Sequence, residues 1–201
     1  SFAVNDTNLF AGTLGGVFRS TNKGTNWTPT SVTTFVYSLA ANGLNLFAGT
    51  NFGVVRSTNN GAGWGTVNDG LTNKGVLSLA FSDTDLFAGT NGGVFQTTNN
   101  GTLWISVSTG LTDTTVNSLA VSGTNLFAGT NGGVFRTTNN GTSWNKVNSG
   151  LTDTIVTFFA VSGTSLFAST YGGGVFHSTN NGSSWTAVNT GLTNKNVLSL
   201  V

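Results

Sequence analysis

Few side chains in this 201-residue sequence can perform acid–base, nucleophilic or metal chemistry, and their spacing says more than their number. There is one His (His177), seven Lys and Arg, six acidic residues that are all Asp, and no Cys. General acid–base catalysis needs titratable groups with shifted proton affinities held together in a cleft. The arginines Arg19, Arg56 and Arg136 instead share one recurring position, filled elsewhere by Gln96 and His177. Side chains set out one per repeat read as a solvated row on separate strands, not as a converging triad. Asp83 and Asp85 form a close acidic pair, but Gly123 and Asn125 stand at the equivalent places, so both read as turn residues. A calcium site would need more oxygen ligands in a tighter acidic cluster. Serines abound without a strained nucleophile turn to activate one. The expectation is no catalytic residue, no metal site and no cofactor.

Composition removes further classes. Only 6% of residues are charged, against about 25% in an ordinary soluble domain. A net charge of +1 leaves no basic stripe for nucleic acid. No run of about 18 apolar residues is present for membrane insertion. The absence of Cys excludes disulfides and thiolate chemistry. Without an initiating Met or a signal segment, the sequence is expected to be a mature or excised piece.

The elements that carry these residues repeat. LFAGT starts at Leu9, Leu46, Leu86 and Leu126 and returns as LFAST at Leu166, with spacings of 37, 40, 40 and 40. The repeats beginning at Ser78 and Ser118 agree at 29 of 40 positions, which duplication or consensus design produces and chance does not. In the fourth repeat VNSLAVS, NLFAGT, GVFRTT and WNKVN are β candidates rich in Val, Phe, Leu, Thr and Trp. SGT, NGG, NNGTS and SGLTDT between them are turns, because Gly and Asn tolerate positive φ. No sustained helical period occurs. Four strands per 40 residues predict an all-β fold, a β-propeller of five four-stranded blades at about 1–37, 38–77, 78–117, 118–157 and 158–198. NVLSLV at the end predicts a surplus first strand over 197–201. The small Ala and Gly of LFAGT would let neighbouring inner strands crowd together. A parallel β-helix is the alternative solenoid, with shorter turns and no hairpin signals.

Each repeat also carries Ser/Thr-Thr-Asn-Asn/Lys-Gly-x-x-Trp. The key residues are Ser20, Asn22, Gly24 and Trp27; Ser57, Asn59, Gly61 and Trp64; Thr97, Asn99, Gly101 and Trp104; Thr137, Asn139, Gly141 and Trp144; and Ser178, Asn180, Gly182 and Trp185. This box resembles the Asp-box (bacterial neuraminidase repeat), Ser-x-Asp-x-Gly-x-Thr-Trp, and its surroundings resemble secreted bacterial Asp-box propellers. The resemblance covers the whole chain. Asn22, Asn59, Asn99, Asn139 and Asn180 depart from it by standing where the family has Asp. An Asn there can still accept backbone N–H groups and close the turn. Gly would supply a positive φ, and the Trp would pack under its hairpin or against the next blade. The box is therefore expected to be structural. Sialidases of this resemblance imply three Arg on the substrate carboxylate, a Tyr–Glu nucleophile pair and an acid/base Asp. With no Glu, repeat-placed arginines and only Tyr37 and Tyr171, that chemistry is not expected.

A meander sends box and SGT turns to one face, NGG turns and GLTDT loops to the other. The second face collects departures from the consensus: Phe52 in TNFG, Tyr171 in the lengthened TYGGG, Asp113, Asp153, Lys74 and Lys195, beside Asn91 and Asn131 of the regular turns. A neutral surface of amides, hydroxyls and aromatics suits sugar or protein better than charged ligands. The first repeat is shortest, replacing GLT with TPTSVTTF and holding the one Pro, Pro29. The expected role is a non-catalytic, secreted or cell-surface recognition, adhesion or scaffold module, with glycans or cell-surface proteins as partners. A multivalent lectin is the alternative reading, and a degenerate glycosidase a third. Low charge opposes self-association only weakly, so association of identical chains, or membership of a longer chain, is also expected.

Overall fold

The computed structural model describes residues 1–5 and 7–200, and among these no helix occurs. The first sheet holds β1 (Phe2–Asn5), β2 (Asn8–Thr13), β3 (Gly16–Ser20) and β4 (Thr28–Pro29). The second holds β5 (Val36–Asn42), β6 (Asn45–Thr50), β7 (Gly53–Ser57) and β8 (Gly65–Thr66). β9 (Val76–Ser82), β10 (Asp85–Thr90), β11 (Gly93–Thr97) and β12 (Ile105–Ser106) form the third. The fourth comprises β13 (Val116–Ser122), β14 (Asn125–Thr130), β15 (Gly133–Thr137) and β16 (Asn145–Lys146). The fifth comprises β17 (Val156–Ser162), β18 (Ser165–Thr170), β19 (Gly174–Ser178) and β20 (Thr186–Ala187). Each sheet runs in sequence order with antiparallel neighbours, so the predicted five-blade, all-β architecture is the one observed. By contacts the chain divides into two compact units, residues 1–91 with 95–106 and residues 92–94 with 107–201.

Burial explains why LFAGT repeats. In the first unit Phe47, Leu86, Ala88 and Trp104 belong to one buried cluster, and Phe10, Val36, Leu39 and Ala48 to another. In the second unit Phe127, Phe159, Ala168 and Trp185 do the same. Gly129 shows the need for a missing side chain: a Cβ there would lie 2.6 Å from Val156 Cγ1 on the following first strand. Ser1 of SFA and Ser38 of SLA each add a tie to the following first strand. Ser1 Oγ accepts the Leu39 N–H (2.9 Å) and Ser38 Oγ accepts the Leu79 N–H (3.0 Å).

The box closes its turn with neutral groups. In all five copies the Ser or Thr hydroxyl donates to the Asn Oδ1 at 2.7–3.0 Å. In the fourth copy Gly141 N–H donates to Thr137 Oγ1 (3.1 Å), and Ser143 N–H to Asn139 Oδ1 (3.0 Å). The box glycines have φ between 74° and 87° as expected, and the residue before each, Asn or Lys, is left-handed too, at 51° to 57°. That second left-handed residue explains why Asn is used there, since it tolerates this region better than most residues.

Three expectations need correction. WNKVN was expected as a full strand, but only Asn145–Lys146 pairs regularly with β15. Trp144 N–H donates instead to Thr109 O (2.9 Å), and Asn148 Oδ1 accepts the Val134 N–H (2.7 Å) that a strand carbonyl would otherwise take. Nor does the box Trp face the next blade. Its indole N–H donates backwards, to the carbonyl three residues after the preceding box Trp: Trp104 to Val67 (2.7 Å), Trp144 to Val107 (2.7 Å) and Trp185 to Val147 (2.8 Å). Residues 197–200 form no regular strand, the nearest pairing being the isolated Tyr171–Asn196 bridge. Val197 O nevertheless accepts Thr157 Oγ1 (3.3 Å), much as Val156 O accepts Asn117 Nδ2 (2.9 Å). Val201, the end of the expected surplus strand, lies outside the described residues.

Trp144→Ala, at a side chain 3% exposed, should lower unfolding free energy by about 3–5 kcal/mol. Trp144→Phe should lose less, the neutral hydrogen bond alone contributing about 1 kcal/mol. Asn139→Ala should cost about 1–2 kcal/mol through two lost accepted bonds, and Asn139→Asp clearly less, because the acceptor oxygen stays. Urea unfolding followed by circular dichroism checks both pairs; equal losses for Asp and Ala would refute the acceptor role.

Candidate functional site

In the second to fifth blades the turn between the second and third strands meets the loop that leads into that same blade. In the fourth blade a Cβ on Gly132 would stand 2.9 Å from Asp113 Cβ, and Asn117 Nδ2 donates to Asn131 Oδ1 (3.0 Å). In the fifth, a Cβ on Gly173 would stand 2.7 Å from Asp153 Cβ, and Tyr171 N–H donates to Ile155 O (2.9 Å). Asn91 N–H donates to Gly75 O (3.2 Å) in the third. Each of these four blades thus offers one turn–loop pair. Phe52 and Tyr171 are largely exposed, at 66% and 65%, on the first and second units respectively.

Groups with chemical potential are engaged locally. Asp113 Oδ1 accepts the Thr115 N–H and Asp153 Oδ1 the Ile155 N–H, each at 3.0 Å, so both carboxylates cap their own loops. Asp83 has φ 52°, close to the 57–58° of Gly43, Gly123 and Gly163 in the same turn, as its reading as a turn residue requires. Asp85 Oδ2 accepts Gln96 Nε2 (2.8 Å). The arginine position is not a solvated row. Arg56 Nη1 donates to Asn100 O (2.8 Å) and Arg136 Nη1 to Asn181 O (2.9 Å), reaching the box turn of the following repeat. Gln96 at that position is buried, and His177 is half-buried, stacked on Phe167 at 4.5 Å and bonded to Ser165 Oγ (3.0 Å). Among the described residues no group of three or more His, Cys, Asp or Glu could hold a metal ion. No helix among them is long and apolar enough to cross a membrane.

One concave feature was missed by reading the repeats. In the first unit a cleft of about 390 Å³ is lined by Leu14, Thr33, Thr34, Phe35, Asn51 and Phe52. Thr33, Thr34 and Phe52 also line a neighbouring cleft of about 280 Å³ that reaches Trp64. Of these residues only Phe52 stood out as a departure on this face. The available signals were Leu14, where Asn51, Asn91 and Asn131 occupy the matching turns, and the shortened loop carrying Phe35.

Comparison with known proteins bears on this geometry. The family model of the DUF6242 beta propeller domain matches residues 84–198, more than half of the chain. No curated protein sequence matches. The extracellular domain of BT4673 from B. thetaiotaomicron superimposes with a TM-score of 0.83 at 18% identity, over 100% of this chain and 29% of that one. An ancestral GH74 enzyme gives 0.75 at 23% identity, over 97% and 31%. YCF48 bound to D1 peptide gives 0.67 at 15% identity, over 96% and 67%. The chain thus spans under a third of the length of the first two, and at these identities the likeness is one of fold. The propeller assignment rests on both the five sheets and the matched family, and the chain belongs to the DUF6242 beta propeller domain family.

Proposed function

We propose that this chain is a non-catalytic recognition module working outside the cell, with the turn–loop face as its binding face and glycans or cell-surface proteins as its partners. The observation that carries this reading is how the carboxylates of that face are used. Asp113 and Asp153 each accept a main-chain N–H two residues on, at 3.0 Å, and so act as loop caps. Glycoside hydrolysis ordinarily needs two carboxyl groups flanking one bond, about 5–9.5 Å apart. Here the acidic residues of the face come one per connecting loop, and Glu is absent from the sequence. The surrounding amides and hydroxyls suit binding.

An extracellular setting is supported by the likeness to the BT4673 extracellular domain. It is also supported by the box, whose hydroxyl–Asn–Gly–Trp geometry fits kinship with Asp-box propellers. Chains with so little charge repel one another weakly, and self-association belongs to the same reading.

The protein incubated with a panel of sialosides and neutral glycosides should release no more sugar than buffer does. Turnover that disappears in Asp113→Asn or Asp153→Asn would overturn the non-catalytic reading in favour of a glycosidase.

A further inference from the structure

Several irregularities of the repeat gather in one place. Loop 28–35 is three residues shorter than its counterparts, Leu14 stands where three other turns have Asn, and Phe52 stands where Gly92 and Gly132 stand. In the third to fifth repeats the box Trp donates its indole N–H to the preceding repeat. Trp64 is the exception, its Nε1 being buried without a hydrogen-bond partner. The short loop also closes its blade differently: Val32 O accepts the Val17 N–H (3.1 Å), the bond that Asn68, Asn148 and Asn189 side chains accept in their own blades. An orphaned buried donor destabilises the fold, because its desolvation is not offset by a bond. Departures of this kind, which weaken the fold without local compensation, concentrate at functional sites.

At the same joint lies the cleft lined by Leu14, Phe35 and Phe52. Leu14, Phe35 and Phe52 are 70%, 48% and 66% exposed around it. Between them lie Thr33, Thr34 and Asn51. Thr34 Oγ1 donates to Asn51 Oδ1 (2.7 Å), which holds the amide oxygen against the loop and offers its NH₂ to a ligand. None of the residues lining either cleft is charged. Aromatic rings beside amides and hydroxyls, with no charge, match a pyranose ring: apolar C–H groups on its faces, hydroxyls around its rim. A volume of about 390 Å³ falls in the range of small-ligand sites, roughly 300–1,000 Å³.

We infer that the cleft between loop 28–35 and the turn at Phe52 is a single binding site for a neutral saccharide chain, unique to this place among the repeats. The inference rests on the recognition reading above and gives it a ligand class and an address. It also replaces multivalent binding with one site per chain, because no other blade has an aromatic at the Phe52 position together with a shortened loop.

The test is affinity electrophoresis of the full chain through gels containing hydroxyethylcellulose, galactomannan or dextran, with polygalacturonate as the charged control. Titration calorimetry with an oligosaccharide of the retarding polymer then gives stoichiometry. At least one neutral gel should retard the protein more than polygalacturonate does, with one site per chain. Phe52→Gly should weaken binding at least tenfold, and Leu14→Asn should weaken it measurably. Both place residues that other blades already carry, so thermal unfolding should stay within a few degrees of the parent. The inference is overturned if no neutral gel retards the protein, if both variants bind as the parent does, or if the stoichiometry approaches one site per blade. This last result would leave the recognition reading standing. Hydrolysis of the retarding polymer would instead defeat the recognition reading itself.

Discussion

The hydrogen bond from the box Trp of the third, fourth and fifth repeats back to the preceding repeat is the interaction on which the rest of the chain depends. Trp104, Trp144 and Trp185 bury their rings almost completely, and a buried indole N–H must find an acceptor. The Val67, Val107 and Val147 carbonyls supply it, so one side chain both fills the core and joins two repeats. A blade-like sheet cannot cover both faces alone, and such nearest-neighbour ties turn a row of marginal hairpins into a stable array. Gly129 serves the same end, since any side chain there would keep Val156 of the next strand away.

Neutral chemistry carries the remaining joints. Hydroxyls of Ser20, Ser57, Thr97, Thr137 and Ser178 and the Asn oxygens two residues on close every box turn without a formal charge. Asn68, Asn148 and Asn189 replace strand carbonyls where the fourth strand leaves its sheet. This is why a chain with 6% charged residues folds at all. Amide and hydroxyl oxygens accept these N–H groups as a carboxylate would, so the turns close without a formal charge. The first two repeats show the same logic by breaking it. At the joint with the short loop 28–35, Trp64 lacks an acceptor and a cleft lies beside Phe35 and Phe52.

Much of this was legible in advance. The strands VNSLAVS and NLFAGT coincide with β13 and β14, because alternating apolar residues bounded by Gly and Asn have one good solution. The box glycines took their positive φ, and Asp83 behaved as the turn residue that Gly123 suggested. The arginine position was misjudged. Its one-per-repeat spacing was seen, but not that Arg56 and Arg136 reach the box turns at Asn100 and Asn181, contacts separated by 44 and 45 residues. Phe52 was marked on the ligand face without Phe35 or Leu14, since residues 14, 35 and 52 converge only once the loop is folded.

The sequence by itself determined the repeat, the strand order within a blade, the turn chemistry and the poverty of catalytic groups. All of these follow from local pattern and residue type, which act over a few residues. The tertiary structure alone decided the backward direction of the Trp bond, the early end of the fourth strand and the placing of a cleft at one joint of the array. Each depends on which carbonyl lies near which donor after packing. Trp64, whose indole nitrogen is buried with no acceptor, shows that this is a matter of distance in space that no local pattern encodes.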